Sequence, residues 1–103
     1  MKKAFVYNFN QLAGILVQLE TRRYTFEYID DYQGMPISLT MPVAQKKFEY
    51  ANFPPFFDGL LPEGGLLEAL LKQRKLDRQD YFEQLVAVGQ DLVGSVTVRR
   101  AND

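Results

Sequence analysis

The sequence contains no cysteine and no histidine. Without cysteine there is no disulfide framework, thiolate nucleophile or zinc–thiolate site, a composition that suits a reducing, cytoplasmic setting. Without histidine the chain lacks the commonest general base, the commonest metal ligand and the middle member of any Ser-His-Asp relay. It is therefore expected not to be an enzyme, and no catalytic residue, cofactor site or metal site is assigned. An excess of positive charge is missing too: 12 basic residues against 13 acidic ones leave a net charge of −1. A domain that binds nucleic acid on its own normally carries a dense basic surface. The pairs Lys2-Lys3, Arg22-Arg23, Lys46-Lys47 and Arg99-Arg100 are scattered along the chain and read as solvated surface. No apolar run approaches the ~18 residues of a membrane helix. Met1-Lys2-Lys3 begins like a signal peptide, but Asn8, Asn10 and Gln11 interrupt the apolar stretch that should follow. Neither a membrane nor export by that route is expected.

What is present is the material of one folded domain, residues 1–103, with 47% hydrophobic and 24% charged residues. The first half has the two-residue period of strands. Lys3 to Phe9 is rich in β-branched and aromatic residues, Asn8 to Gln11 carries turn chemistry, and Gly14 to Glu20 alternates with Ile15, Val17 and Leu19 on one face. From Tyr24 to Ile29 the alternation continues, with Tyr24, Phe26 and Tyr28 sharing a face. A three-stranded meander is the reading. After a polar loop from Asp30 to Pro36, Ile37 to Met41 alternates again before Pro42, which predicts a short edge strand.

The second half has helical period. Leu66, Leu67, Leu70 and Leu71 form an apolar stripe on a helix running to about Arg74, with Pro62 in its first turn and Glu63 at the positive end of its dipole. A second helix is expected to open at Asp77, bury Phe82, Leu85 and Val86, and stop at Gly89. Ser95 to Arg99 alternates and should return to the sheet. The order strands, helices, strand predicts an α+β fold, an antiparallel sheet with two main helices on one face.

One stretch stands apart: Phe56 to Gly65, FFDGLLPEGG, which leads directly into the leucine-rich helix. Such a turn could cradle an anion, hold a carboxylate pair, or shape a contact surface. Gly64-Gly65 precedes a helix as in phosphate loops, but no P-loop lysine follows and GxGxxG is absent. Asp58 and Glu63 are the acids on unusual backbone; capping, turn formation or partner contact explains them better than acid–base work. Asp30-Asp31 lacks the regularly spaced oxygens of a Ca²⁺ loop. Phe53, Phe56 and Phe57 surround Pro54-Pro55, a pair expected to prevent regular helix. Core packing accounts for about two of these rings, which would leave an exposed anchor for a protein partner.

Three segments taken together carry a resemblance. PISLTMP (Pro36 to Pro42), FFDGLLPEG (Phe56 to Gly64) and VGQDLVGSVTV (Val88 to Val98) resemble, in order and spacing, the N-terminal subdomain of the HipA-type serine/threonine kinases of bacterial toxin–antitoxin systems. The resemblance spans nearly the whole chain and stops where the kinase core of such a protein would begin. It therefore implies a protein without the ATP-binding and metal-binding loops of a kinase. A stand-alone copy is similar to the HipS-type antitoxins of three-component HipBST systems. That likeness implies a role as a non-catalytic antitoxin that binds and inhibits a HipT-like serine/threonine kinase, while a HipB-like helix-turn-helix protein supplies DNA binding within the complex. The kinase contact is expected at the FFDGLLPEGG turn and the helix it starts, at Phe57, Asp58, Leu61, Pro62, Glu63, Gly64, Gly65 and Leu66. Internal capping and packing is the competing reading of those residues. The competing function is a structural or activating N-terminal subunit of a HipA-type kinase.

Overall fold

Across the turn Phe9-Asn10, β1 (Lys2–Asn8) pairs antiparallel with β2 (Gln11–Gln18) in the computed structural model of the chain, which describes residues 1–101. Both turn residues have positive φ, 50° and 64°, the geometry of a type I′ hairpin turn whose twist matches that of its strands. Asparagine adopts this backbone readily; phenylalanine seldom does. β3 (Tyr24–Tyr28) adds to β2, and β4 (Lys47–Tyr50) to β3. The chain then crosses over through three helices, α1 (Pro55–Asp58), α2 (Gly64–Arg74) and α3 (Tyr81–Val88), and returns as β5 (Val96–Arg100) beside β1. The result is a five-stranded antiparallel sheet of order β4-β3-β2-β1-β5.

Strand alternation puts Ala4, Val6, Leu16, Tyr24, Phe26, Tyr28, Phe48, Val96 and Val98 on one face, where Phe57 of α1 and Phe82 and Leu85 of α3 complete the core. Phe26 lies at its centre, with ring centroids 4.9 Å from Tyr28 and 5.9 Å from Phe57. Ile15, Val17 and Leu19 do alternate, but on the opposite, half-exposed face; the core-facing positions of β2 are Gly14 and Leu16, opposite Val6 and Ala4, with Ala13 also buried at the bulge beside them. Where α3 ends, its backbone meets β5 directly: the Val98 N–H donates to the Gly89 carbonyl at 2.9 Å, and Gln90 Nε2 donates to the Val98 carbonyl at 3.2 Å. These bonds occupy part of the outer edge of β5, where another strand could otherwise pair. A Cβ on Gly89 would lie 2.0 Å from the Val98 oxygen, so only glycine permits this approach.

Lys2 and Arg100, neighbours at the ends of β1 and β5, converge on Glu83 of α3. Lys2 Nζ stands 2.8 Å from one carboxylate oxygen and Arg100 bonds the other, with both cations within 6 Å of the Phe82 ring, at 5.9 and 5.8 Å. Burial pushes the Glu83 carboxyl up, but hydrogen bonds from Arg100 and Lys2 outweigh it and hold the group below its ordinary value. Two of the basic pairs thus each commit a member to an ion pair that ties α3 to the sheet.

Four details depart from the pattern read in the sequence. Ile37 to Met41 is a turn, not an edge strand. Its Ile37 and Met41 side chains both enter the core, and Tyr28 takes the backbone groups a ladder would use: its hydroxyl accepts from the Ile37 N–H at 3.0 Å and donates to the Met41 carbonyl at 2.5 Å. The edge position belongs to β4. Second, the proline pair starts a helix instead of preventing one, because Pro55 stands in the first turn of α1, where no N–H is needed. Third, α3 begins one turn later than expected: Asp80 is its cap, accepting from the Glu83 N–H at 3.4 Å, while Asp77 closes a preceding turn on Gln79. Fourth, Pro62 precedes α2 and does not sit in its first turn, which starts at Gly64 after an extended Glu63.

Candidate functional site

The FFDGLLPEGG segment is built outward from one buried ring. Pro54 and Pro55 fix the entry to α1, which is just long enough to place Phe57 fully inside the core against Phe26. Phe56 packs edge-on to Phe57 at 5.2 Å, and Phe53 lies 5.2 Å from Tyr24 and 5.6 Å from Tyr81. All three phenylalanines are therefore buried or half-buried, and none is the exposed anchor expected among them. Phe57 in particular, expected on the contact surface, is out of a partner's reach; it holds the turn in place.

Beyond Phe57 the backbone continues as a tight turn, with Leu60 N–H bonding the Phe57 carbonyl at 3.0 Å and Leu61 N–H the Asp58 carbonyl at 3.2 Å. Leu60 and Leu61 rest half-buried on the core, Pro62 is half-exposed, and Asp58, Glu63, Gly64 and Gly65 are exposed. Gly64 takes φ +57°, a backbone that favours glycine and lets α2 leave at its observed angle. The Glu63 side chain makes no capping bond to α2.

Helix α2 is the unusual element. None of its residues is buried. Leu67, Leu70 and Leu71 are half-covered, Leu66 is 75% exposed, and the main neighbour of the helix is α3. The leucine stripe that reads as core-facing in the sequence therefore lies mostly outside the core, because Phe57, Phe82 and Leu85 already fill the space over the sheet. Of the eight expected contact residues, Asp58, Glu63, Gly64, Gly65 and Leu66 are exposed, Leu61 and Pro62 are half-buried, and Phe57 is buried beneath them.

Two acids make up the ionisable chemistry of the turn. Asp58 and Glu63 both stand in solvent. No group of three or more histidine, cysteine or acidic side chains that could hold a metal occurs among the described residues. Two concavities lie elsewhere: one of about 450 Å³ on the open sheet face over Ile15 and Val17, and one of about 710 Å³ between Arg22, Asn52 and Tyr81. No helix among the described residues is long and apolar enough to cross a membrane.

The fold is a five-stranded antiparallel sheet with its helices on one face and a proline-entered turn that leads into a helix with no buried residue. The family described as "HipA N-terminal domain" matches residues 4–99, and the chain belongs to that family. It is 33% identical over 97 residues to an uncharacterised protein of Haemophilus influenzae, a match that covers 94% of this chain and 89% of the relative. Among solved structures it is similar to the N-terminal domain of HipA toxin, with a TM-score of 0.79 and 26% identity over 100% of this chain and 95% of that one.

Proposed function

We propose that this protein is a non-catalytic antitoxin of the HipS type, which binds and inhibits a HipT-like serine/threonine kinase in a three-component toxin–antitoxin system. Membership of the HipA N-terminal domain family supports a HipA-related toxin–antitoxin setting. The observation that carries the reading further is the helix that the chain's own core leaves uncovered: α2 follows the FFDGLLPEGG turn with no buried residue and with Leu66 75% exposed. One exposed leucine with three half-covered ones along the same helix suits a surface that a partner covers. A HipB-like helix-turn-helix protein supplies DNA binding in the assembly, consistent with the near-neutral net charge of this chain, −1.

In this reading Leu61, Pro62, Glu63 and Leu66 enter the cleft of the kinase and block the closure that assembles its catalytic parts. Asp58, Gly64 and Gly65 shape the approach without supplying an anchor. The test combines the purified chain with a HipT-like kinase and follows binding and autophosphorylation together. Binding with loss of kinase activity, both abolished by Leu61→Ala, Glu63→Ala and Leu66→Ala in one chain, is the expected result. Binding with unchanged or raised activity would instead make the protein a structural or activating subunit.

A further inference from the structure

Apart from Met1 and Leu66, the large apolar side chains left most exposed are Phe9, Met35, Leu39 and Val93, at 70, 69, 97 and 95%. They come from three loops, and the fold brings these together at one end of the sheet. The Phe9 N–H donates to the Ser95 carbonyl at 2.9 Å, joining the β1–β2 turn to the loop that carries Val93. Asn8, almost fully buried, donates from Nδ2 to the Met35 carbonyl at 3.2 Å and to the Tyr32 hydroxyl at 3.1 Å, joining the same turn to the loop between β3 and β4. Tyr28 then fixes both sides of the segment that presents Leu39. The apolar groups are thus exposed on loops pinned by hydrogen bonds, of which those of Tyr28 and the Asn8–Tyr32 bond are buried.

Charge at this end is acidic on balance: the loops carry Asp30, Asp31 and Asp91, against Lys46 at the close of the β3–β4 loop and Lys47 at the start of β4. Asp30 is paired with Lys46, which leaves Asp31 and Asp91 as exposed carboxylates beside the apolar tips. The apolar, acid-flanked end is complementary to a protein surface with an apolar socket and a basic rim.

We infer that the loop end formed by Phe9, Met35, Leu39 and Val93 is a second docking surface, distinct from the Phe57 to Leu66 unit, for a basic-rimmed apolar socket on the kinase; this rests on the function proposed above. The chain would then grip one partner at two separated places, and each contact would raise the effective concentration of the other.

The test uses substitutions that spare the fold. Phe9→Asn places a residue suited to positive φ in the hairpin turn, and Val93→Ser alters a side chain that is 95% exposed. Calorimetric titration of the full chain into the HipT-like kinase should show the double variant at least tenfold weaker than the parent, with its thermal midpoint unchanged or raised. Asp31→Lys with Asp91→Lys should also weaken binding, more so at low salt than at high salt. Equal binding by the Phe9→Asn, Val93→Ser variant and the parent overturns this inference and leaves the proposed function standing, whereas no binding by the parent overturns both. Self-association of the parent, lost in the variant while kinase binding is kept, also overturns it in favour of a second copy of the chain.

Discussion

Removing one oxygen atom, in Tyr28→Phe, tests why the PISLTMP segment is a turn. The ring would stay where it is, stacked on Tyr32 at 5.6 Å and edge-on to Phe26 at 4.9 Å, so no cavity opens. What disappears is the hydroxyl that accepts from the Ile37 N–H at 3.0 Å and donates to the Met41 carbonyl at 2.5 Å. Burial raises the Tyr28 pKa above its ordinary value, so the hydroxyl remains protonated and available as a donor at neutral pH. The substitution leaves two backbone groups next to the core without a partner, at about 1–2 kcal/mol each. A loss of about 2–4 kcal/mol follows, which lowers the midpoint of thermal unfolding by roughly 10–25 °C in a domain of this size. Urea unfolding at pH 7 reads the loss directly, with an unchanged m-value if the native surface is preserved. Tyr50→Phe is the control, since the Tyr50 hydroxyl has no hydrogen bond among the described residues, and its removal should change stability by less than about 0.5 kcal/mol. A loss below that same figure for Tyr28→Phe would refute the account of this segment.

Glu83→Gln tests the ion pairs that tie α3 to β1 and β5. Because the folded Glu83 pKa is lowered, its contribution is present at and above the unfolded value of about 4.3 and is lost as pH falls through the lower folded value. Parent and variant should therefore differ by no more than about 1 kcal/mol at pH 7, as its partners are partly exposed, and converge in acid; a gap that persists in acid would contradict this. Gly89→Ala should destabilise by at least about 2 kcal/mol, because its Cβ would stand 2.0 Å from the Val98 oxygen and backbone must move to admit it; a neutral result in chemical denaturation would show that the α3–β5 junction is more yielding than its geometry indicates.

Much of the fold is legible in the sequence, for identifiable reasons. β1, β2, β3 and β5 are sustained two-residue alternations, and α3 carries one compact apolar stripe, Phe82 and Leu85, between an acidic cap and Gly89. The exchange of Ile37 to Met41 for Lys47 to Tyr50 arises because both are short alternating segments. The decision between them rests on the Tyr28 hydroxyl, 9 and 13 residues away from its two partners. Local pattern does not contain that information. The same holds for the site. Residue types mark FFDGLLPEGG as unusual, but not that Phe57 is buried while Leu66 is open, since that depends on how much of the sheet Phe82 and Leu85 already occupy. Phe9, Met35, Leu39 and Val93 leave no trace at all, as they share no spacing and meet only through the topology.

The position of α2 follows from a balance of small terms. Eleven residues of helix are marginal in isolation, and glycines at its first two positions lower its propensity further. Its one ion pair among the described residues, Glu68 with Arg78 at 2.6 Å, joins side chains that are 59 and 57% exposed and contributes less than about 1 kcal/mol. What remains is the half-burial of Leu67, Leu70 and Leu71. A helix held this way lies at the low end of local stability in its domain, unlike α3, which places Phe82 and Leu85 in the core. Covering Leu66 and completing the burial of its neighbours would add roughly 1–2 kcal/mol per leucine. A partner that docked on α2, as proposed above, would supply the packing that the chain's own sheet does not, while the turn before the helix stays fixed from below by Phe57.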